Sequence, residues 1–119
     1  MNIEELREYC LMKKGVTESL PFDEYTLVFK VLNKMFALVP LNRELSISIK
    51  CEPEKAIELR EHYPCVSPAW HMSKKHWNTI IINNTVSNSI LKKWIDDSYK
   101  IIANNLTKKQ KEELEGYKA

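Results

Sequence analysis

The clearest secondary-structure signal in the chain is an alternating stretch that reads Leu45-Ser46-Ile47-Ser48-Ile49-Lys50-Cys51. Successive side chains of a β-strand point to opposite faces of the sheet. The four apolar residues of this stretch therefore predict an inward face, and the two serines with Lys50 predict an outward one. A sheet with one dry and one wetter side is typical of antiparallel strands.

Three more strands are predicted around this one. Residues 26–31 alternate in the same way, and residues 35–39 form a returning strand after a hairpin turn at Asn33-Lys34. Pro40 ends that strand, because proline cannot donate a ladder hydrogen bond. The apolar run within residues 77–82 indicates a deeply buried fourth strand. Residues 16–25 are predicted to form a loop, and residues 64–68 an irregular stretch.

Four helices complete the prediction. Asn2 caps the first, which Gly15 stops, and Pro53 starts a second that ends near residue 62. Residues 88–104 have an apolar helical face, and a capping box of Thr107 and Gln110 starts a short helix over 108–115. We expect one α+β domain over 1–119 in the order α-β-β-β-α-β-α-α, with a four-stranded antiparallel sheet covered by helices.

Composition excludes several classes of protein. The 119 residues are 44% hydrophobic and include only two glycines, so there is no glycine-rich phosphate loop. No apolar run approaches the roughly 18 residues of a membrane span, and the first residues lack the pattern of a secretory signal. The odd, widely spaced set of Cys10, Cys51 and Cys65 fits reduced thiols. We therefore expect a cytoplasmic protein without membrane contact.

The net charge is only +2, but its distribution is uneven. Residues 25–51 carry four basic and one acidic side chain, and residues 66–95 carry four basic and no acidic ones. Residues 1–24 and 52–65 are net acidic. Local patches matter more for polyanion binding than net charge, so the two basic segments are where a polyanion is expected to bind.

Two stretches of the chain resemble a known family. They read Pro21-Phe22-Asp23-Glu24-Tyr25-Thr26-Leu27-Val28-Phe29-Lys30-Val31, continued by Lys34-Met35-Phe36-Ala37-Leu38, and His71-Met72-Ser73-Lys74-Lys75-His76-Trp77-Asn78-Thr79. With Ser48-Ile49-Lys50-Cys51 and Asp97-Ser98-Tyr99, they are similar over nearly the whole chain to the MmcQ/YjbR family of small proteins. The resemblance implies a compact sheet with helices on one side, and a double-wing mode of DNA binding through β elements. Family members often have glycine where this chain has Asp23, which places an acid near the first wing.

The most distinctive segment lies between Trp70 and Trp77. Two aromatic residues flank two lysines and two histidines without a nearby acid. Lysines neutralise phosphates and release counterions, and aromatic faces can stack on exposed bases. The candidate nucleic-acid contacts in this segment are Trp70, His71, Lys74, Lys75 and His76. The alternative is structural: Trp77 packs in the core, and the histidines hold a loop through backbone hydrogen bonds.

Three sheet lysines form the second candidate surface. Lys30 and Lys50 occupy outward positions of separate strands, and Lys34 lies at the predicted hairpin tip. Cations that project together from a rigid ribbon suit contact with a phosphate backbone. The alternative is that outward lysines on strands serve solubility and edge protection.

Other chemistry has weaker support in the sequence. A metal site of His71 and His76 with Cys65 has little support, because two histidines alone cannot fill a zinc shell and no acidic ligand accompanies them. Cys65 and His62 are near each other in sequence, which is no evidence of catalytic geometry. We therefore expect no catalytic residue, no metal, no cofactor and no enzymatic activity. The favoured function is DNA binding, largely through phosphate contacts. The first alternative is a protein-interaction module that uses the sheet face or the 66–77 loop, with an exposed patch of Val66, Trp70 and Met72. A small-molecule or catalytic role ranks last.

Overall fold

A computed structural model describes residues 1–69 and 72–117, and within them the chain folds as one α+β domain. The elements along the chain are α1 (Ile3–Leu11), β1 (Val16–Ser19), β2 (Thr26–Val31), β3 (Lys34–Pro40), β4 (Ser46–Lys50), α2 (Pro53–His62), β5 (Val66–Pro68), β6 (Trp77–Ile81), α3 (Asn88–Asn104) and α4 (Lys108–Glu115). No helix in this part of the chain is long and apolar enough to span a bilayer.

All six strands form one antiparallel sheet in the order β1-β2-β3-β4-β6-β5. Helix α3 packs across β3 and β4, while α1 lies against β1 and α2 against β5. The main core fills the space between the helices and one face of the sheet. Its members include Leu6, Phe29, Phe36, Ile47, Ile49, Ile80, Trp94 and Ile95. The opposite face carries a smaller apolar cluster.

The expected four-stranded sheet is wrong, because residues 16–19 and 66–68 are strands rather than loops. Strand β1 pairs with β2, and β5 pairs with β6, so both lie at the edges of the sheet. An edge strand is stabilised by a single neighbour, and these two are only four and three residues long. Pro68 is tolerated in β5 because an edge strand can leave a position without a donor. The observed order is therefore α-β-β-β-β-α-β-β-α-α.

The four helices are confirmed, together with most of their local signals. Asn2 forms a capping box with Glu5 at the start of α1, and Thr107 forms one with Gln110 at the start of α4. Helix α1 ends at Leu11, before the predicted stop. In α2, Ile57 is 54% exposed, so only Ala56 and Leu59 supply its buried side.

The β2–β3 hairpin turns one residue earlier than predicted. Leu32 and Asn33 both have positive φ angles, 44° and 71°, as a two-residue hairpin turn of the mirror-image type requires. The register between the strands then shifts at Phe29 and Lys30. This bulge lets consecutive residues of β3, Phe36 and Ala37, both face the core.

Ser98 of α3 links the backbones of β3 and β4 near the bulge. Its hydroxyl donates a 2.7 Å hydrogen bond to the Phe36 carbonyl and accepts a 2.9 Å hydrogen bond from the Lys50 amide. Paired residues of β3 and β4 are Ala37 with Ile49 and Leu38 with Ser48, so Ser98 joins the two strands just beyond them. A fully buried side chain thereby fixes the position of Lys50 relative to β3.

Candidate nucleic-acid interface

The two faces of the sheet differ sharply in chemistry. We call the side away from the helices the open face. The strand residues that the register places on it are Thr17, Ser19, Thr26, Val28, Lys30, Met35, Leu38, Pro40, Ser46, Ser48, Lys50, Ser67, Trp77, Thr79 and Ile81. Across the six strands, all of which the structure describes, the open face therefore carries two lysines and no carboxylate.

Lys30 and Lys50 form what we call the lysine row. Lys30 lies opposite Met35, and Lys50 lies opposite Trp77, at the same end of the open face. Both lysines are half-buried, a level of exposure that is common for a long side chain with an apolar stem and a charged end. Alternation in the sequence predicts that both lysines point outward, and the strand register agrees with that prediction.

Two acidic side chains near the sheet are engaged on the helix side, whereas Asp23 lies at the start of β2 beside the open face. Glu18 projects from β1 on the same side as Phe29 and forms a bidentate ion pair with Arg7 of α1. Asp96 of α3 binds Lys13 in a second ion pair. These contacts place two carboxylates of the helix layer away from the lysine row.

Lys34 does not belong to the lysine row. The register pairs it with Val31, which is fully buried beneath the helices. Lys34 is exposed at the end of the hairpin and projects toward the helix side of the sheet. The structure therefore separates this lysine from the other two, which were expected to project with it.

The turn before β6 brings more cations to the same end of the sheet. Lys74 and Lys75 are exposed, and His76 is half-buried. The His76 carbonyl accepts a 2.7 Å hydrogen bond from the Cys51 amide, so the turn is attached beside the residue that follows Lys50. Trp70 and His71, the other two candidates of this segment, lie outside the described residues.

Arg60 of α2 holds this turn in place. Its guanidinium donates to the carbonyl oxygens of Lys74 and Trp77, and its Nε donates a 2.6 Å hydrogen bond to the side chain of Asn78. Asn78 is fully buried and donates in turn to the Ala56 carbonyl at 3.1 Å. Sequence analysis missed both residues, because a polar residue in a strand or helix gives no local sign that it is buried and paired.

Trp77 has the structural role that the sequence offers as the alternative, because it is packed rather than exposed. It is 7% exposed and packs on the open face with Val28, Leu38 and Ala69, against Met72. Its ring is therefore not available to stack on a base.

The exposed apolar patch expected for a protein partner is largely absent from the described residues. Val66 is 5% exposed and belongs to the main core. Met72 packs against the cluster around Trp77. Of the three residues proposed for that patch, only Trp70 has no described position.

The cysteines are buried thiols. Burial raises the pKa of Cys10 to about 12 and that of Cys51 to about 11, which leaves both protonated near neutral pH. Cys65 is also buried, whereas His62 is exposed. Among residues 1–69 and 72–117, no group of three histidine, cysteine or acidic side chains could hold a metal ion.

The chain matches the family model named YjbR over residues 11–101. It is 31% identical to protein YjbR of Escherichia coli K12 over 115 residues, which cover 96% of this chain and 98% of that protein. Protein YbdF of Escherichia coli O157:H7 is 30% identical over 79% of this chain and 78% of its own length.

Two solved structures share the fold. The crystal structure of Deinococcus radiodurans protein DR2400, a DUF419 domain, superposes with a TM-score of 0.89 at 36% identity and covers 96% of this chain and 88% of its own. A protein from Pseudomonas syringae superposes with a TM-score of 0.74 at 26% identity, covering 85% of this chain and 98% of its own. With the family model matched over most of the sequence, the chain belongs to the YjbR family.

Proposed function

We propose that this protein is a non-enzymatic module that binds DNA, largely through phosphate contacts, along the lysine row and the adjacent turn of Lys74, Lys75 and His76. The observation that carries the proposal is the open face: its two charged strand residues are both lysines, and the carboxylates of Glu18 and Asp96 are paired on the other side.

The amines of Lys30 and Lys50 suit contact with a phosphate backbone because the strands that carry them are rigid. Lys30 and Lys50 emerge from β2 and β4, which both pair with β3, and Ser98 fixes the strand end that carries Lys50. Little conformational entropy of the backbone is then lost when the amines meet phosphates. Since phosphate contacts carry no sequence information, we expect weak sequence preference and strong salt dependence.

The hairpin of β2 and β3 is the natural candidate for a wing of the double-wing mode that the family resemblance implies. It carries Lys30 on its open side, close to a two-residue turn. Lys34 faces away from this side and is not part of the proposed surface.

Titration of a labelled DNA duplex at low and moderate salt tests the proposal. The double variant Lys30→Gln with Lys50→Gln removes two cations, so the slope of log affinity against log salt should become shallower by about 2. Lys108→Gln with Lys109→Gln on α4 is the matched control, since it removes the same charge from exposed positions outside the proposed surface. We expect the control to bind like the parent chain.

A second double variant tests the turn. Lys74→Glu with Lys75→Glu should abolish duplex binding at moderate salt while leaving the thermal midpoint nearly unchanged, because both residues are exposed. If neither the duplex nor a single strand of the same length binds at low salt, or if binding is indifferent to salt, the proposed function is refuted. An equal loss in the α4 control would show that only overall charge matters and would remove the open face from the argument.

A further inference from the structure

A cavity of about 410 Å³ opens on the open face beside the lysine row. Leu38, Ser48 and Thr79 form its floor, side by side on β3, β4 and β6. Ser48 lies two residues from Lys50 on the same face of β4, so the floor begins about 7 Å from the lysine row. The volume falls within the range of roughly 300–1,000 Å³ that is typical of small-molecule sites.

Most of the residues that line the cavity are apolar or uncharged, and the two charged ones are Asp23 and Arg43. Ala69 and Met72 supply one wall, and hydroxyls of Ser46, Ser48 and Thr79 line the sheet side. The last two share a 2.7 Å hydrogen bond, whereas the Ser46 hydroxyl has no hydrogen-bonding partner among the described residues. A hydroxyl can both donate and accept, so this lining suits a flat, uncharged ligand with donors and acceptors on its edge.

The rim adds an aromatic side chain. Phe22 lines the cavity and is 63% exposed. Asp23, beside it, accepts hydrogen bonds from the amides of Tyr25 and Thr26, which lower its pKa and fix the loop that carries Phe22. An exposed ring held at the mouth of a cavity offers a face on which a heteroaromatic ring can stack.

We propose that the cavity receives one unstacked nucleobase of single-stranded DNA while neighbouring phosphates lie along the lysine row. This inference rests on the proposed DNA binding and names the form of DNA that the site takes. A base inside a duplex is stacked and paired, so it cannot enter the cavity. Single strands should therefore bind more tightly than duplexes of the same length.

Two single strands of about twelve residues separate base contacts from phosphate contacts. One is an oligothymidylate, and the other is an abasic strand with the same number of phosphates. The parent chain should bind the oligothymidylate about fivefold or more tightly than the abasic strand, as expected for one stacked base. Phe22→Ala should remove most of that difference, and Tyr25→Ala, an exposed aromatic of the same loop outside the cavity lining, should preserve it.

Each result has a distinct meaning. Salt-dependent binding that is equal for both strands would refute the base-binding cavity and leave the proposed function standing. If neither strand nor a duplex binds at low salt, the proposed function fails and this inference fails with it. A preference for bases that survives Phe22→Ala, or is lost equally in Tyr25→Ala, would place the base elsewhere and overturn the assignment of this cavity.

Discussion

Replacing Ser98 by alanine should destabilise the protein far more than the loss of one oxygen suggests. The Ser98 hydroxyl donates to the Phe36 carbonyl at 2.7 Å and accepts from the Lys50 amide at 2.9 Å. Ser98 is fully buried, so water cannot easily take its place. Alanine would leave one backbone acceptor and one backbone donor without their partner, at about 1–3 kcal/mol for each buried group.

The Lys50 amide is only partly buried, so the lower half of that range applies to it. The expected loss in the free energy of unfolding is therefore about 2–5 kcal/mol, a large fraction of the roughly 5–15 kcal/mol typical of such domains. Urea denaturation should show it as a lower midpoint with an unchanged slope. Amide hydrogen exchange should show a selective loss of protection at Lys50.

Ser89→Ala in the first turn of the same helix is the control. Ser89 is exposed, and alanine has the higher helix propensity, so this change should alter stability by less than about 0.5 kcal/mol. A loss below about 1 kcal/mol for Ser98→Ala, with unchanged exchange at Lys50, would refute the idea that the hydroxyl joins β3 to β4.

Two further measurements test the helix layer. Trp94 is 5% exposed, and its ring centroid lies 4.9 Å from that of Tyr63 in an edge-to-face contact, so Trp94→Ala should lower the free energy of unfolding in urea by about 3–5 kcal/mol. Ile90 is 37% exposed, so Ile90→Ala should lower it by less than about 1 kcal/mol. Equal losses would mean that α3 packs on the sheet through a different face. Burial, and then the hydrogen bond to Asp96, raise the pKa of Tyr9 from 10.0 to about 12, so the folded chain keeps a proton that the unfolded chain releases above pH 10.0. That stabilisation is present below pH 10.0 and disappears as the pH rises to about 12. Tyr9→Phe should therefore make the thermal midpoint decline less steeply over this interval. An unchanged decline would contradict the raised pKa of Tyr9.

Much of the helix layer could be predicted from local signals alone. Caps such as Asn2 and Thr107, and the proline at the start of α2, act on hydrogen bonds within one turn, so they place helix ends without knowledge of the rest of the fold. Alternation did the same for β2 and β4, a hairpin turn for β3, and an apolar run for β6. Alternation also assigned Lys30 and Lys50 to the outward side, because a period of two fixes direction within a strand.

Other features depended on residues that are distant in sequence. Strands β1 and β5 carry weak patterns and form because a neighbouring strand offers hydrogen bonds. Lys34 does not lie with Lys30 and Lys50, because the hairpin turn and the bulge direct its side chain toward the helix side of the sheet. Both features depend on the pairing of β3 with β2. Ser98 and Arg60 find their partners 62 and 18 positions away in the chain, at Phe36 and Asn78. The sequence shows the shape and polarity of each side chain, but its contacts are decided only when the sheet and the helices pack together. The open face and its cavity form only through that packing.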